Sequence, residues 1–465
     1  MSDLAWLSVA EAAKLIAGRK LSPVELTGAL LARIERLDPK WHAFIRITPE
    51  RAKAQAKAAE TEIAAGQYRG AFHGIPVGLK DIIDLAGYPT TCHSKIYADH
   101  SAAKSAVVTE LLEAAGAVVL GKLSTHEFAI GGPSFDLPWP PAVNPWGGGN
   151  FPGGSSSGSG VALATGMMPA ALGTDTGGSV RNPASMCAIV GLKPTYGRVS
   201  RRGVFPLAFS LDHVGPMTRD VADNALLLQV LAGHDPLDPG SADVAVPDFS
   251  AELDKGAKGL RIGLVRHFYD GDETAHPEQI KATDSAATIL RELGADVREI
   301  RLAPLQEYSV CNRVILASEA FSIHRRHLAE RPGDYGALAR ERLAVGAGLS
   351  AADYVDALRV RARLVAQTKA AMEGFDAILT VSSMDPPPPI DDAEACARVY
   401  PRQARQPFNV TGLPAIAIPA GFTPDGLPLS IQIIGHAWQE ARVYRVARAY
   451  EQATGWYKRH PPGLE

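Results

Sequence analysis

Apolar positions in the first 65 residues recur with a helical period. Leu26, Leu30, Ile34 and Leu37 follow one another at spacings of four, four and three, which puts them on one face of a helix packed against a core. Ser8 with Glu11, and Ser22 with Glu25, have capping-box spacing, and Pro23 suits a first helical position. Arg51 to Ala65 is Ala-rich, mostly polar, and stopped by Gly66. From about residue 70 the pattern changes to short apolar runs between helical stretches. Pro76–Leu79, Ala117–Leu120 and Ala415–Ile418 read as strands, Ala106–Ala115 and Val221–Ala232 as helices. This alternation predicts an α/β sheet with buried strands.

The same patterning suggests four segments. Residues 1–65 are an N-terminal helical segment and 66–235 a core. Residues 236–400, more charged, more helical and carrying a Pro386–Pro389 run, read as a partly separate helical layer over the sheet's edge on the substrate side. Residues 401–465 return to strand and helix, with Thr423-Pro424-Asp425-Gly426 as a turn.

Lys+Arg (47) nearly balances Asp+Glu (50), which argues against an electrostatic nucleic-acid binder. The four cysteines have no CxxC spacing, so neither a disulfide framework nor a zinc site is expected. The N-terminal MSDLAWLSVAEAAKL has no basic n-region and no continuous apolar h-region, and no run is long enough for a membrane span. A cytoplasmic protein without membrane contact is expected.

One stretch changes the picture. From 137 to 174, 38 positions carry no charge, and nine are Gly and six Pro. A buried, turn-rich core accounts for this, and uncharged backbone with few side chains in the way is also what a catalytic loop needs. It contains Gly153-Gly154-Ser155-Ser156-Ser157-Gly158 and leads into Asp175-Thr176-Gly177-Gly178-Ser179-Val180-Arg181. Upstream lies Gly74-Ile75-Pro76-Val77-Gly78-Leu79-Lys80-Asp81.

Other signals are weaker. Ser156 is central in a G-x-S-x-G, but Asn150–Gly153 before it is not the strand that a nucleophile elbow requires. Gly116–Leu123 nearly matches a phosphate loop, yet Leu123 replaces the magnesium-binding hydroxyl. Ser101-Ala102-Ala103-Lys104 is an S-x-x-K with no KTG after it. His324 and His327 lack a carboxylate motif and read as a surface helix rather than a metal site.

Taken together, Gly74–Asp81, Gly153–Ser156 and Asp175–Pro183 resemble the amidase signature family, as do Gly191–Thr195, Gly197–Ser200 and Phe408–Pro414. The resemblance covers nearly the whole chain and is weakest from about 240 to 395. It implies a mixed β-sheet with helices on both faces and a Ser–cis-Ser–Lys triad: Lys80 as base, Ser155 after a cis peptide bond, Ser179 as nucleophile. Two departures are Ser157, where the family more often has Gly, and the Pro/Gly-rich segment 134–149. No cofactor or metal is implied. The expected partner set is a small-molecule amide substrate, no nucleic acid and a possible homodimer. The alternative is the glutamine-hydrolysing A subunit of a tRNA-dependent amidotransferase.

The chemistry is coherent on its own terms. A serine hydroxyl needs an adjacent base. A lysine serves only when neutral, and lowering its pKa from about 10.4 to about 7 costs roughly 4.6 kcal/mol, a penalty that burial supplies. Backbone N–H groups of Thr176, Gly177 and Gly178 are candidates for holding an oxyanion. Asp175 and Arg181 flank Ser179 as an ion pair that pins the loop, or Arg181 binds an acidic substrate group. Ser156 is a further candidate for substrate contact or loop pinning.

Overall fold

The computed structural model describes residues 4–464. Its centre is one eleven-stranded mixed sheet. The strands are β1 (Phe44–Ile47), β2 (Pro76–Lys80), β3 (Val118–Leu123), β4 (Ala170–Asp175), β5 (Val190–Lys193), β6 (His213–Thr218), β7 (Arg261–Leu264), β8 (Asp296–Glu299), β9 (Ala377–Val381), β10 (Ala415–Phe422) and β11 (Pro428–Ile434). Across the sheet they run β1-β3-β2-β4-β6-β5-β10-β11-β9-β7-β8. β2 pairs in parallel with both β3 and β4, and β7 with both β8 and β9. The other pairings are antiparallel.

The apolar runs predicted as strands are buried along their whole length because helices cover both faces. Successive side chains on a strand point to opposite faces. Accordingly, Leu379 and Ile433 belong to one hydrophobic core, and their neighbours Ile378 and Ile434 to a second. Ser8 and Glu11 form the expected reciprocal cap on the helix Val9–Ala17.

Three regions differ from the sequence reading. β1 lies inside the segment expected to be helical throughout. It is four residues long and pairs with the edge of β3 through Phe44 and Leu123. The 236–400 segment is not a helical layer alone, since β7, β8 and β9 extend the same sheet. β8 escapes a pattern search because only Val297 of its four residues is buried. The surface-helix expectation for His324 is also corrected. The side chain is fully buried in the helix Leu305–Glu330, and its Nδ1 lies 2.9 Å from the Tyr335 hydroxyl. No helix among the described residues is long and apolar enough to cross a membrane.

Candidate active site

Lys80 ends β2 and Asp175 ends β4, two parallel neighbours. Chemistry in α/β sheets gathers at such carboxyl ends. The Lys80 side chain is fully buried. Its Nζ lies 2.6 Å from Ser155 Oγ and 2.8 Å from Thr174 Oγ1. Burial pulls the lysine pKa down to about 7, against the opposing pull of Asp212 and Asp175. The amine therefore exchanges its proton near neutrality while facing a serine hydroxyl.

The Gly/Ser loop is held from several sides. The Gly154–Ser155 peptide bond is cis. A Cβ on Gly154 would sit 2.0 Å from the His126 ring, so no larger residue fits there. His126 N–H donates to the Ser155 carbonyl at 3.0 Å. Ser156 N–H donates to the Ser179 carbonyl at 3.2 Å, which lays the two serine segments against each other. Ser156 Oγ accepts from Thr174 N–H at 3.2 Å and donates to the Thr174 carbonyl at 3.3 Å. It is stitched to β4.

The Asp175–Arg181 pair settles into the loop. The Arg181 Nε and Nη2 groups each donate to Asp175 at 3.0 Å. Its remaining donors go to the Arg405 carbonyl, Gln432 Oε1 and Asn409 Oδ1. A guanidinium has five N–H donors, so none is left for a substrate. Asp175 also accepts from the N–H of Gly178 and Val180 and from Asn409 Nδ2. Arg181 and Asn409 hold its carboxyl well below the usual range in spite of burial. Gly178 N–H is thus committed to Asp175 at 2.8 Å rather than free for an oxyanion. Thr176 is braced by Asp212 through its hydroxyl (2.5 Å) and by Asn312 Nδ2 at its carbonyl (3.1 Å). Asp81 accepts from Lys122 at 2.8 Å and from the Thr91 hydroxyl, a buried structural cluster.

Ser179 opens onto a cavity of about 340 Å³, together with Thr176 and Gly177. Opposite them the cavity is closed by Asn312 and Arg313 from the helix Leu305–Glu330, by Arg342 from Ala337–Ala344, and by Tyr400, Gln403 and Gln406. The sequence pattern singles out none of these wall residues. Nor does it single out Thr174, although a hydroxyl one residue before the end of β4 is where a lysine ending β2 can reach.

Comparison with known proteins shows the family and the fold. The family model described as Amidase matches residues 25–444. The A subunit of the Glutamyl-tRNA(Gln) amidotransferase of Geobacter metallireducens is 41% identical over 482 residues, covering 98% of this chain and 99% of its own. The native peptide amidase of Stenotrophomonas maltophilia superposes with a TM-score of 0.86 at 32% identity, covering 99% of each chain. A solved chain described as part of a vestigial protein complex bearing on the origins of an s-triazine catabolic enzyme gives a TM-score of 0.90 at 33% identity, over 97% of this chain and 99% of that one. These relatives correct the expected partner set of a small molecule alone, without nucleic acid and with a possible homodimer. Full-length relatives are named as one subunit of an amidotransferase whose name includes a tRNA. Balanced net charge tests only a chain's own electrostatic footprint, and one member of a larger assembly needs none. With the motif segments in place around one buried lysine and the match running nearly end to end, the chain belongs to the amidase signature family, a family of C–N hydrolases.

Proposed function

We propose that the protein hydrolyses a carboxylic amide through an acyl-enzyme on Ser179, and that it does so as the glutamine-hydrolysing A subunit of a tRNA-dependent amidotransferase. The observation that carries the chemistry is the buried Lys80 amine 2.6 Å from Ser155 Oγ, with its pKa near 7. Neutral Lys80 takes the Ser155 proton as Ser155 takes that of Ser179. Ser179 Oγ forms the bond to the amide carbon. N–H groups of the Thr176–Ser179 loop other than Gly178 hold the oxygen that becomes negative, a preorganised stabilisation made strong by exclusion of water. The proton returns through Ser155 to the leaving nitrogen, the C–N bond breaks, and ammonia departs. Water then attacks the ester by the same relay and restores Ser179.

The glutamine reading rests on the curated relatives. The cavity is compatible with it. Arg342 donates one bond, to the Gly131 carbonyl at 2.7 Å, and forms no ion pair among the described residues, so its guanidinium suits a substrate carboxylate. A second reading, hydrolysis of a different amide, is favoured by the lining of the cavity, which includes no Asp or Glu among the described residues to meet the glutamine ammonium. Ammonia release from glutamine, measured beside aliphatic amides, aryl amides and dicarboxylic half-amides, separates the two. Turnover of the others with none of glutamine would sink the glutamine reading. Failure of a serine-directed reagent to label Ser179 would sink the acyl-enzyme.

A further inference from the structure

Two side-chain oxygens at the substrate cavity have no hydrogen-bond partner among the described residues: Asn312 Oδ1 and Gln403 Oε1. Such groups are costly to leave buried and unpaired. Asn312 is fully buried. Its amide orientation is fixed, because Nδ2 donates to the Thr176 carbonyl at 3.1 Å and the reverse orientation would set two oxygens against each other. Oδ1 consequently faces the other way, 3.2 Å from the point where a Cβ on Gly177 would stand. Gly177 and Ser179 line the same cavity, so the oxygen lies over a glycine two residues before the nucleophile. Gln403 Oε1 lies 3.0 Å from the corresponding point on Gly178. The lining holds no carboxylate; beside the neutral oxygens of Tyr400 and Gln406, these two are buried acceptors left without a partner among the described residues.

We infer that Asn312, assisted by Gln403, reads an N–H donor on the acyl chain of the substrate and so determines specificity for amino-substituted amides. The inference deepens the glutamine reading, in which the donor is the α-amino group, and it rests on that reading only for the identity of the chain that carries the donor.

The test is a ratio. kcat/KM is measured for glutamine and for its deamino analogue glutaramate, and in parallel for norleucinamide and hexanamide, with wild type, Asn312→Leu, Asn312→Asp and Gln403→Leu. Asn312 also braces Thr176, and loss of that bond slows both members of a pair alike and cancels in the ratio. In wild type the amino-bearing member is favoured by about ten- to a hundred-fold, the range of hydrogen bonds to a charged donor. Asn312→Leu brings the ratio close to one. Gln403→Leu lowers it less. Asn312→Asp raises it, since a carboxylate pairs with an ammonium and gains nothing from a methylene. A ratio that stays at its wild-type value in both Asn312 variants overturns the inference and leaves Asn312 as a brace. A ratio that responds only in the norleucinamide pair upholds Asn312 and removes glutamine as the substrate.

Discussion

On one side of the cavity Asp175 accepts from Gly178, Val180, Arg181 and Asn409, and Arg181 spends every donor on protein acceptors. On the other side Asn312 Oδ1 and Gln403 Oε1 accept from nothing among the described residues, and Arg313 and Arg342 form no ion pair there. The first side is built on β2, β4 and the loops at their ends, held from behind by Arg405 and Asn409. The second comes from the helices Leu305–Glu330 and Ala337–Ala344 and from the loop that carries Gln403. A wall that must hold a neutral lysine against a serine has its polar groups satisfied, because a half-satisfied buried network is unstable and imprecise. A wall that receives a ligand keeps partners in reserve. The two sides should therefore respond to substitution differently: the strand side in rate for every substrate, the helix side in the ratio between substrates.

The largest effect is expected at the nucleophile. Ser179→Ala should lower kcat by about 10⁶-fold, as for other serine hydrolases deprived of the attacking hydroxyl. Circular dichroism and the unfolding midpoint should hold, since only one oxygen is removed. Equal residual activity on all amides would place the loss on the strand side. A loss confined to one substrate class would break the division drawn above.

Lys80 comes next. Lys80→Arg keeps a positive charge but cannot release a proton, and a loss of about 10⁴-fold is expected, the upper end for a positioned base. In the wild type the lysine pKa is lowered, so the active form is the neutral one above it. The rate should rise as pH passes through about 7 and then level off. A flat profile from pH 5 to 9 together with an active Lys80→Arg would mean that the residue contributes charge alone.

Ser155→Ala should cost about 10²–10⁴-fold. Combined with Lys80→Ala it should cost little more than the worse single change, because members of one relay act as a unit. Multiplying losses in the double variant would show that the 2.6 Å contact is not on the proton's path.

The strand side is legible in the sequence for the reason that makes it rigid. A neutral lysine at a strand end, a loop that admits only Gly at 154 because His126 fills the space of a Cβ, and an Asp–Arg pair around Ser179 each demand a residue type at a fixed spacing. Such demands leave a readable motif. The expectation for Gly178 fails because its N–H has two possible uses, and only the folded loop shows that Asp175 takes it. The helix side leaves no motif. Asn312, Arg342 and Gln403 lie 30 and 61 residues apart in sequence and meet only through tertiary packing. β7 and β8 escape for a different reason: each is only four residues long and opens on an exposed charged residue, so neither reads as a continuous apolar run.

The smallest effect is expected one residue beyond the relay, at Ser156. It is the central serine of a G-x-S-x-G, although no strand precedes it as a nucleophile elbow requires. The structure gives its hydroxyl another task. Oγ takes the Thr174 N–H at 3.2 Å and returns a bond to the Thr174 carbonyl at 3.3 Å, while the Thr174 side chain meets Lys80. Ser156→Ala leaves that buried N–H without its partner and should cost about 1–3 kcal/mol of stability. This is readable as a shift of the denaturant midpoint at unchanged slope. Turnover should remain within about ten-fold of wild type, because Thr174 shifts only slightly and the hydroxyls of Ser155 and Ser179 are untouched. A serine-directed reagent should still label the variant, at Ser179. If instead Ser156→Ala were as inactive as Ser179→Ala at undiminished stability, the hydroxyl would belong to the chemistry, and the line between a satisfied wall and a reacting pair of serines would have to be redrawn through Ser156.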